Sequence, residues 1–191
     1  MIRQISKITN IKEEVLERTV DKYGLLQVIC NTKLIEQDIT KLQFDKLNTF
    51  LKLHKALGTA EFLREVKNLD STGKAKDFCR TVLQHEPKEK MLLIYLNGSN
   101  DLIGHEVMAE GTVNECVVYP REVVERVLRH NSANVIIAHN HPANSLTRSQ
   151  ADLRVTKKLK EALEQIDIKL LDHIIVTNLG DTVSMMEEGE I

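Results

Sequence analysis

His139 and His141 close the apolar run of "VIIAHNHPANSLTRSQAD", and Ser149 and Asp152 follow a short polar loop. If "VIIAHNH" is extended, residues i and i+2 point to one face, so both imidazoles can reach a single ion just past the strand's C-terminal end. Pro142 stops the strand. "TRSQ" fits a helix start in which Thr147 caps and Gln150 reaches back, which puts Ser149 in the first turn and Asp152 three residues on, on the same face. The loop is short enough for that helix to return Asp152 to the histidines. Two neutral imidazoles and a carboxylate suit Zn2+, and three protein ligands leave one position for water, as catalytic zinc sites require. Taken separately, an H-x-H pair fits a polar strand end and Ser149-x-x-Asp152 fits an ordinary capping pair. It is their combination on strand, loop and helix that points to a metal.

The elements that must position these residues follow from periodicity. "MLLIYLN", the turn "GSND" and "LIGHEVMAEGTV" read as a β-hairpin, and "CVVY" is a further short apolar run. "PREVVERVLRH" opens a helix with Pro120 in its first turn. "NVIIA" is apolar at every position after Asn134, as expected of a strand covered on both faces. "TRSQADLRVTKKLKEALEQI" is a helix burying Val155, Leu159, Leu163 and Ile166, and "IKLLDHIIVT" is a last long strand before a polar tail. Strands alternating with helices give an α/β or α+β domain, a mixed sheet with a helix on each face. Before it, "IKEEVLERTVDKYG", "LLQVIC", "ITKLQFDKLNTFLKLHKALG" and "TAEFLREVK" carry helical spacing, a small all-helical unit. The turn composition of "LDSTGKAKD" places the junction so that residues 1–70 form the helical domain and 71–191 the α/β domain.

Composition excludes more than it selects. At 191 residues the chain holds at most two units, and its net charge of -2 gives no global attraction to nucleic acid or anionic lipid. Residues 1–70 carry 12 Lys and Arg against 10 Asp and Glu, the remainder 14 against 18. No apolar run reaches the length of a membrane span, and "MIRQISKITNIKEE" turns polar too early for a secretory signal, so a cytoplasmic protein is expected. Cys30, Cys79 and Cys116 are odd in number and contain no C-x-x-C pair, and they read as small buried residues. Aromatic residues make up 4% with no Trp, which leaves few platforms for stacking single-stranded bases. "HNH" stands on three consecutive positions, unlike a nuclease ββα unit, and no P-C-x-x-C or H-E-x-x-H accompanies it.

H-x-H, seven residues, Ser, two residues, Asp resembles the JAMM signature of MPN-plus (JAB) metallo-isopeptidases. The text from "LLIYLNGSNDLIGHEVMAEGTVNECVVYPREVVERVLRHNSANVIIAHNHP" through "LLDHIIV" is similar to the RadC branch. The resemblance implies a cytidine-deaminase-like JAB/MPN fold, a curved mixed sheet sandwiched by helices. It also implies zinc held by His139, His141 and Asp152. It places a general-base glutamate in the hairpin's second strand, where Glu106 holds the matching position and Glu110, four residues on, shares its face. Ser149 would hydrogen-bond the oxyanion or the water. His173 in "LLDHIIV" also matches the RadC pattern, either as a contact behind the metal ligands or to substrate, or as a histidine packed at a strand end. The implied activity is hydrolysis of an amide or isopeptide bond in a protein or peptide, under a DNA-repair label that comes with the family name.

The chain departs from that pattern in two places. Ala143, Asn144 and Arg148 replace the usual loop residues of H-P-S-G and the proline before the serine, and Asn144 partly replaces a glycine's tolerance of positive φ. In the family the N-terminal region resembles a helix-hairpin-helix module that presents backbone N–H groups to DNA phosphate. Here "ITKLQFDKLNTF" has no glycine, so it reads as a degenerate module better suited to packing or protein contact than to DNA. A second functional reading is therefore a non-catalytic module with a vestigial or structural metal site, recruiting DNA or a repair protein.

Overall fold

The structure, a computed structural model, describes residues 1–30, 32–111 and 118–191. Cys116, the start of the run at 116–119 and the hairpin beyond Gly111 lie outside the described residues, as do the side chains of Cys30 and Glu110. The chain divides into two compact units, Met1–Glu61 and Phe62–Ile191.

The first unit is helical. It contains α1 (Ile2–Thr9), α2 (Glu13–Tyr23), α3 (Leu25–Cys30), α4 (Lys33–Glu36) and most of α5 (Lys41–Glu65), and Ile5, Ile11, Leu16, Ile35 and Leu47 form its core. The helix α1 lies ahead of the helical spacing described from "IKEEVLERTVDKYG" onward. Sequence spacing suggested two helices where α5 runs unbroken through Gly58, whose position no neighbouring atom crowds. Its start is set locally: Gln43 N donates to Thr40 Oγ1 and Thr40 N donates to Gln43 Oε1, a reciprocal cap. The stretch without the hairpin glycine is thus the opening half of a long helix.

The second unit is built on a five-stranded mixed sheet. Its strands are β1 (Glu89–Leu96), β2 (Leu102–Gly111), β3 (Asn134–His141), β4 (Lys169–Thr177) and β5 (Thr182–Ser184), in the order β2-β1-β3-β4-β5. β1 and β2 form the expected hairpin, β1 and β3 are antiparallel, and β3 and β4 are parallel, joined across α8 (Gln150–Glu164). The short β5 turns back on β4 from within the tail read as polar. β1 and β3 are buried almost throughout because both faces are covered.

Strand parity decides which residue faces which layer. Leu92, Ile94, Ile136, Ala138, Ile174 and Val176 pack under α6 (Thr72–Leu83), against Phe78, Cys79 and Leu83. On the other face Met91, Leu93, Val135 and Ile137 meet Val123 and Val127 of α7 (Pro120–Arg129) and Leu159 and Leu163 of α8. Cys79 is fully buried, and burial, with the nearby charge of Asp172, pushes its thiol pKa well above the ordinary range. Among the described residues no helix is long and apolar enough to cross a membrane.

Candidate metal centre

His139 and His141 end the central strand, and their alternation with Asn140 sends both rings to the α8 face, where Nε2 of one stands 2.8 Å from Nε2 of the other. The helix that returns to them starts later than its sequence suggests. Ser149, rather than Thr147, is the cap: Asp152 N donates to Ser149 Oγ at 3.1 Å and Ser149 N donates to Asp152 Oδ2 at 2.7 Å. Both pairs fit a reciprocal box, and the one that forms is Ser149 with Asp152 rather than Thr147 with Gln150. The cap uses one carboxylate oxygen and leaves Oδ1 3.5 Å from His139 Nε2. Capping pair and candidate ligand are therefore the same residues. Ser149 Oγ accepts in this box, which leaves its hydrogen to donate.

The loop between strand and helix is pinned from outside. Asn144 stands at φ 58°, the left-handed conformation asparagine tolerates, and its Oδ1 accepts from Leu179 N. Asn178 Nδ2 donates to Pro142 O, and Arg148 pairs with Glu188 and Glu190. His141 Nδ1 lies 2.7 Å from the carbonyl of Ser145. A carbonyl only accepts, so Nδ1 carries a hydrogen and Nε2 is the ring nitrogen that faces His139 Nε2 and is left to hold a metal.

Sequence reasoning missed a further carboxylate. Ligand atoms of Glu89, His139 and His141 lie within 4.8 Å of one another. Glu89 opens β1, two residues before Met91, which is registered opposite His139. Its pKa is raised by burial first; the His141 charge opposes the rise and that of Asp152 adds to it. The signal available in sequence was parity, since Glu89, Met91 and Leu93 share a face, but the register that lays β1 beside β3 is non-local. Glu106, the expected base, is held elsewhere: registered opposite Leu93, it accepts from Tyr95 Oη and from Arg126 at 2.7 Å. The structure gathers His139, His141, Asp152 and Glu89, and ties Glu106 into a Tyr95–Arg126 network on the same face.

Two buried groups lie behind His139. His139 is 1% exposed, and burial, with His141 adding and Asp152 opposing, pushes its pKa down to about 4, so the ring is neutral at physiological pH. His173 is lowered as well, by burial and then by the two other histidines. Asn140, facing the opposite way, accepts from Lys90 N and donates to the carbonyls of Glu86 and Lys88, so it holds the strand entry that carries Glu89.

Two imidazoles and two carboxylates meet at the C-terminal end of the central strand of a helix-covered mixed sheet, an α/β domain with a candidate N/O metal centre. The chain belongs to the RadC-like JAB domain family, which matches residues 69–190. It is similar to the UPF0758 protein of Pseudomonas fluorescens (strain SBW25), 41% identical over 147 residues, covering 77% of this chain and 65% of the relative. The UPF0758 protein of Vibrio atlanticus (strain LGP32) is 42% identical over 132 residues, covering 69% and 58%. That of Cellvibrio japonicus (strain Ueda107) is 44% identical over 121, covering 63% and 54%. The chain thus spans less than two thirds of the length of these relatives.

Proposed function

We propose that this chain is a zinc-dependent hydrolase of the JAMM type, acting on an amide or isopeptide bond of a protein or peptide. The observation that carries the reading is Nε2 of His141 set 2.8 Å from Nε2 of His139, with Asp152 Oδ1 3.5 Å from the latter. Acceptor atoms converging in a partly buried site call for a cation, and imidazole with carboxylate suits Zn2+ better than Ca2+ or Mg2+. His139, His141 and Asp152 would hold the metal. Bound there, zinc supplies Lewis acidity and lowers the pKa of the water it holds.

The remaining work falls to side chains. Glu89, its pKa raised by burial, takes a proton from the attacking water and returns it to the leaving amine, the general acid–base role that the resemblance assigned to Glu106. Ser149, fixed by its cap, directs its hydroxyl hydrogen toward the charge that develops on the scissile carbonyl. Arg126 and Tyr95 hold Glu106 as a structural carboxylate.

Metal content of tag-free protein tests the first step. About one zinc per chain is expected, lost in His139→Ala, His141→Ala and Asp152→Ala and retained in Glu89→Gln. With a mixed fluorogenic peptide library as probe, Glu89→Gln lowers turnover by about 100-fold or more while keeping its zinc. Loss of turnover with zinc kept in Glu106→Gln but not in Glu89→Gln would return the base to β2. A native chain that takes up no added zinc would put a binding module in place of the enzyme.

A further inference from the structure

Behind the candidate ligands runs a chain of short contacts between buried polar groups. Thr156 Oγ1 lies 2.7 Å from the carbonyl of Asp152 and 2.5 Å from His173 Nδ1, and His173 Nε2 lies 2.8 Å from His139 Nδ1. His139 Nε2 then faces His141 Nε2, and His141 Nδ1 faces the Ser145 carbonyl. Thr156, His173 and His139 are at most 3% exposed, so water does not share these contacts.

Neutral, one threonine and three histidines bring four hydrogens to these five nitrogen and oxygen contacts, and Met185 Sδ, 3.4 Å from Thr156 Oγ1, is a weaker acceptor than the Asp152 carbonyl. The two carbonyls fix two of them, Thr156 O–H onto Asp152 O and His141 Nδ1–H onto Ser145 O. His173 and His139 bring one hydrogen each to the three contacts that remain. If His173 donates from Nδ1 to Thr156 and His139 donates from Nδ1 to His173, the contact without a hydrogen is His139 Nε2 against His141 Nε2, beside the Asp152 carboxylate. Any other arrangement leaves two lone pairs opposed in the apolar interior, where no cation can reach.

We infer that Thr156 is a positioning residue for the metal centre, acting through His173 to fix His139 with its hydrogen on Nδ1 and its Nε2 free to bind the metal. The inference rests on the zinc reading above and adds to it the group that selects the ligand atom. Thr156 sits one helical turn after Asp152 and takes its place from that residue's own carbonyl. One turn of α8 therefore supplies a ligand and sets the tautomer of another.

Nitrogen-15 imidazole spectra of the metal-free chain, with zinc affinity measured by competition against a chromophoric chelator, test this. In the native chain His139 is expected as the Nδ1–H tautomer. In Thr156→Val the acceptor for His173 Nδ1–H is gone, so His173 turns its hydrogen to Nε2 and His139 shifts to Nε2–H. Zinc affinity falls about 10- to 100-fold, and Thr156→Ser restores both readouts. A native His139 found as Nε2–H overturns the inference, whatever the variants do, and so does a Thr156→Val spectrum with His139 unchanged. A native chain with the expected tautomer that binds no zinc overturns the metal reading and leaves the relay standing.

Discussion

His139 and His173 are rings kept neutral by burial, and that has a stability consequence of definite sign. Both folded-state pKa values lie below the ordinary histidine value near 6.5, so the unfolded chain binds more protons than the folded one. Their contribution is complete above about 6.5 and is lost as pH falls toward the folded values. For His139, at about 4, the loss is of order 3 kcal/mol in the metal-free protein. The raised carboxyls of Asp172 and Glu89 act in the opposite sense, so the histidine share is isolated by comparison. Between pH 7.5 and pH 4.5 the thermal midpoint of the metal-free native chain is expected to fall further than that of His139→Asn, which keeps a polar group but has no imidazole to charge. Equal falls would show that His139 titrates in the folded chain much as it does unfolded. The candidate ligands His139, His141 and Asp152 were legible at this scale because they lie within one stretch of the chain. Glu89 was not, because it belongs to "HEPKEK", which reads as a polar break.

At the scale of elements, the site is where one strand ends and one helix begins, and each junction is held by residues from elsewhere. Asn140 makes this concrete: fully buried, it satisfies one N–H and two carbonyls across residues 86–90. Asn140→Ala leaves these groups without their partner and is expected to cost about 2–3 kcal/mol, with faster amide exchange concentrated at residues 86–90. Exchange raised evenly through the sheet would mean that the amide braces the core rather than this entry. The order of strands and helices could be read from alternation and turn residues, and the opening of α7 from Pro120. The choice of Ser149 over Thr147 as the cap of α8 could not, because "TRSQ" and "SQAD" both fit a reciprocal box. Neither could the unbroken run of α5, since a lone glycine such as Gly58 weakens a helix without ending it.

Over the whole molecule, the two faces of the sheet in the second unit do different things. The α8 face ends in the candidate metal centre, while the α6 face is a mainly apolar layer closed over Cys79, with Asn140 and Asp172 buried on it. Which residue faces which layer was legible as alternation along β1 and β3. That the tail returns as β5 was not, because three residues carry too little periodicity. The buried sulfur has a practical consequence. Thiol reagents attack the thiolate, and a thiol held protonated beneath α6 is silent to them until that layer lifts. With Cys30 and Cys116 replaced by serine, the labelling rate of Cys79 becomes a clock for how often the far side of the sheet opens. If zinc on one face slows that clock on the other, the two layers open as a single cooperative unit.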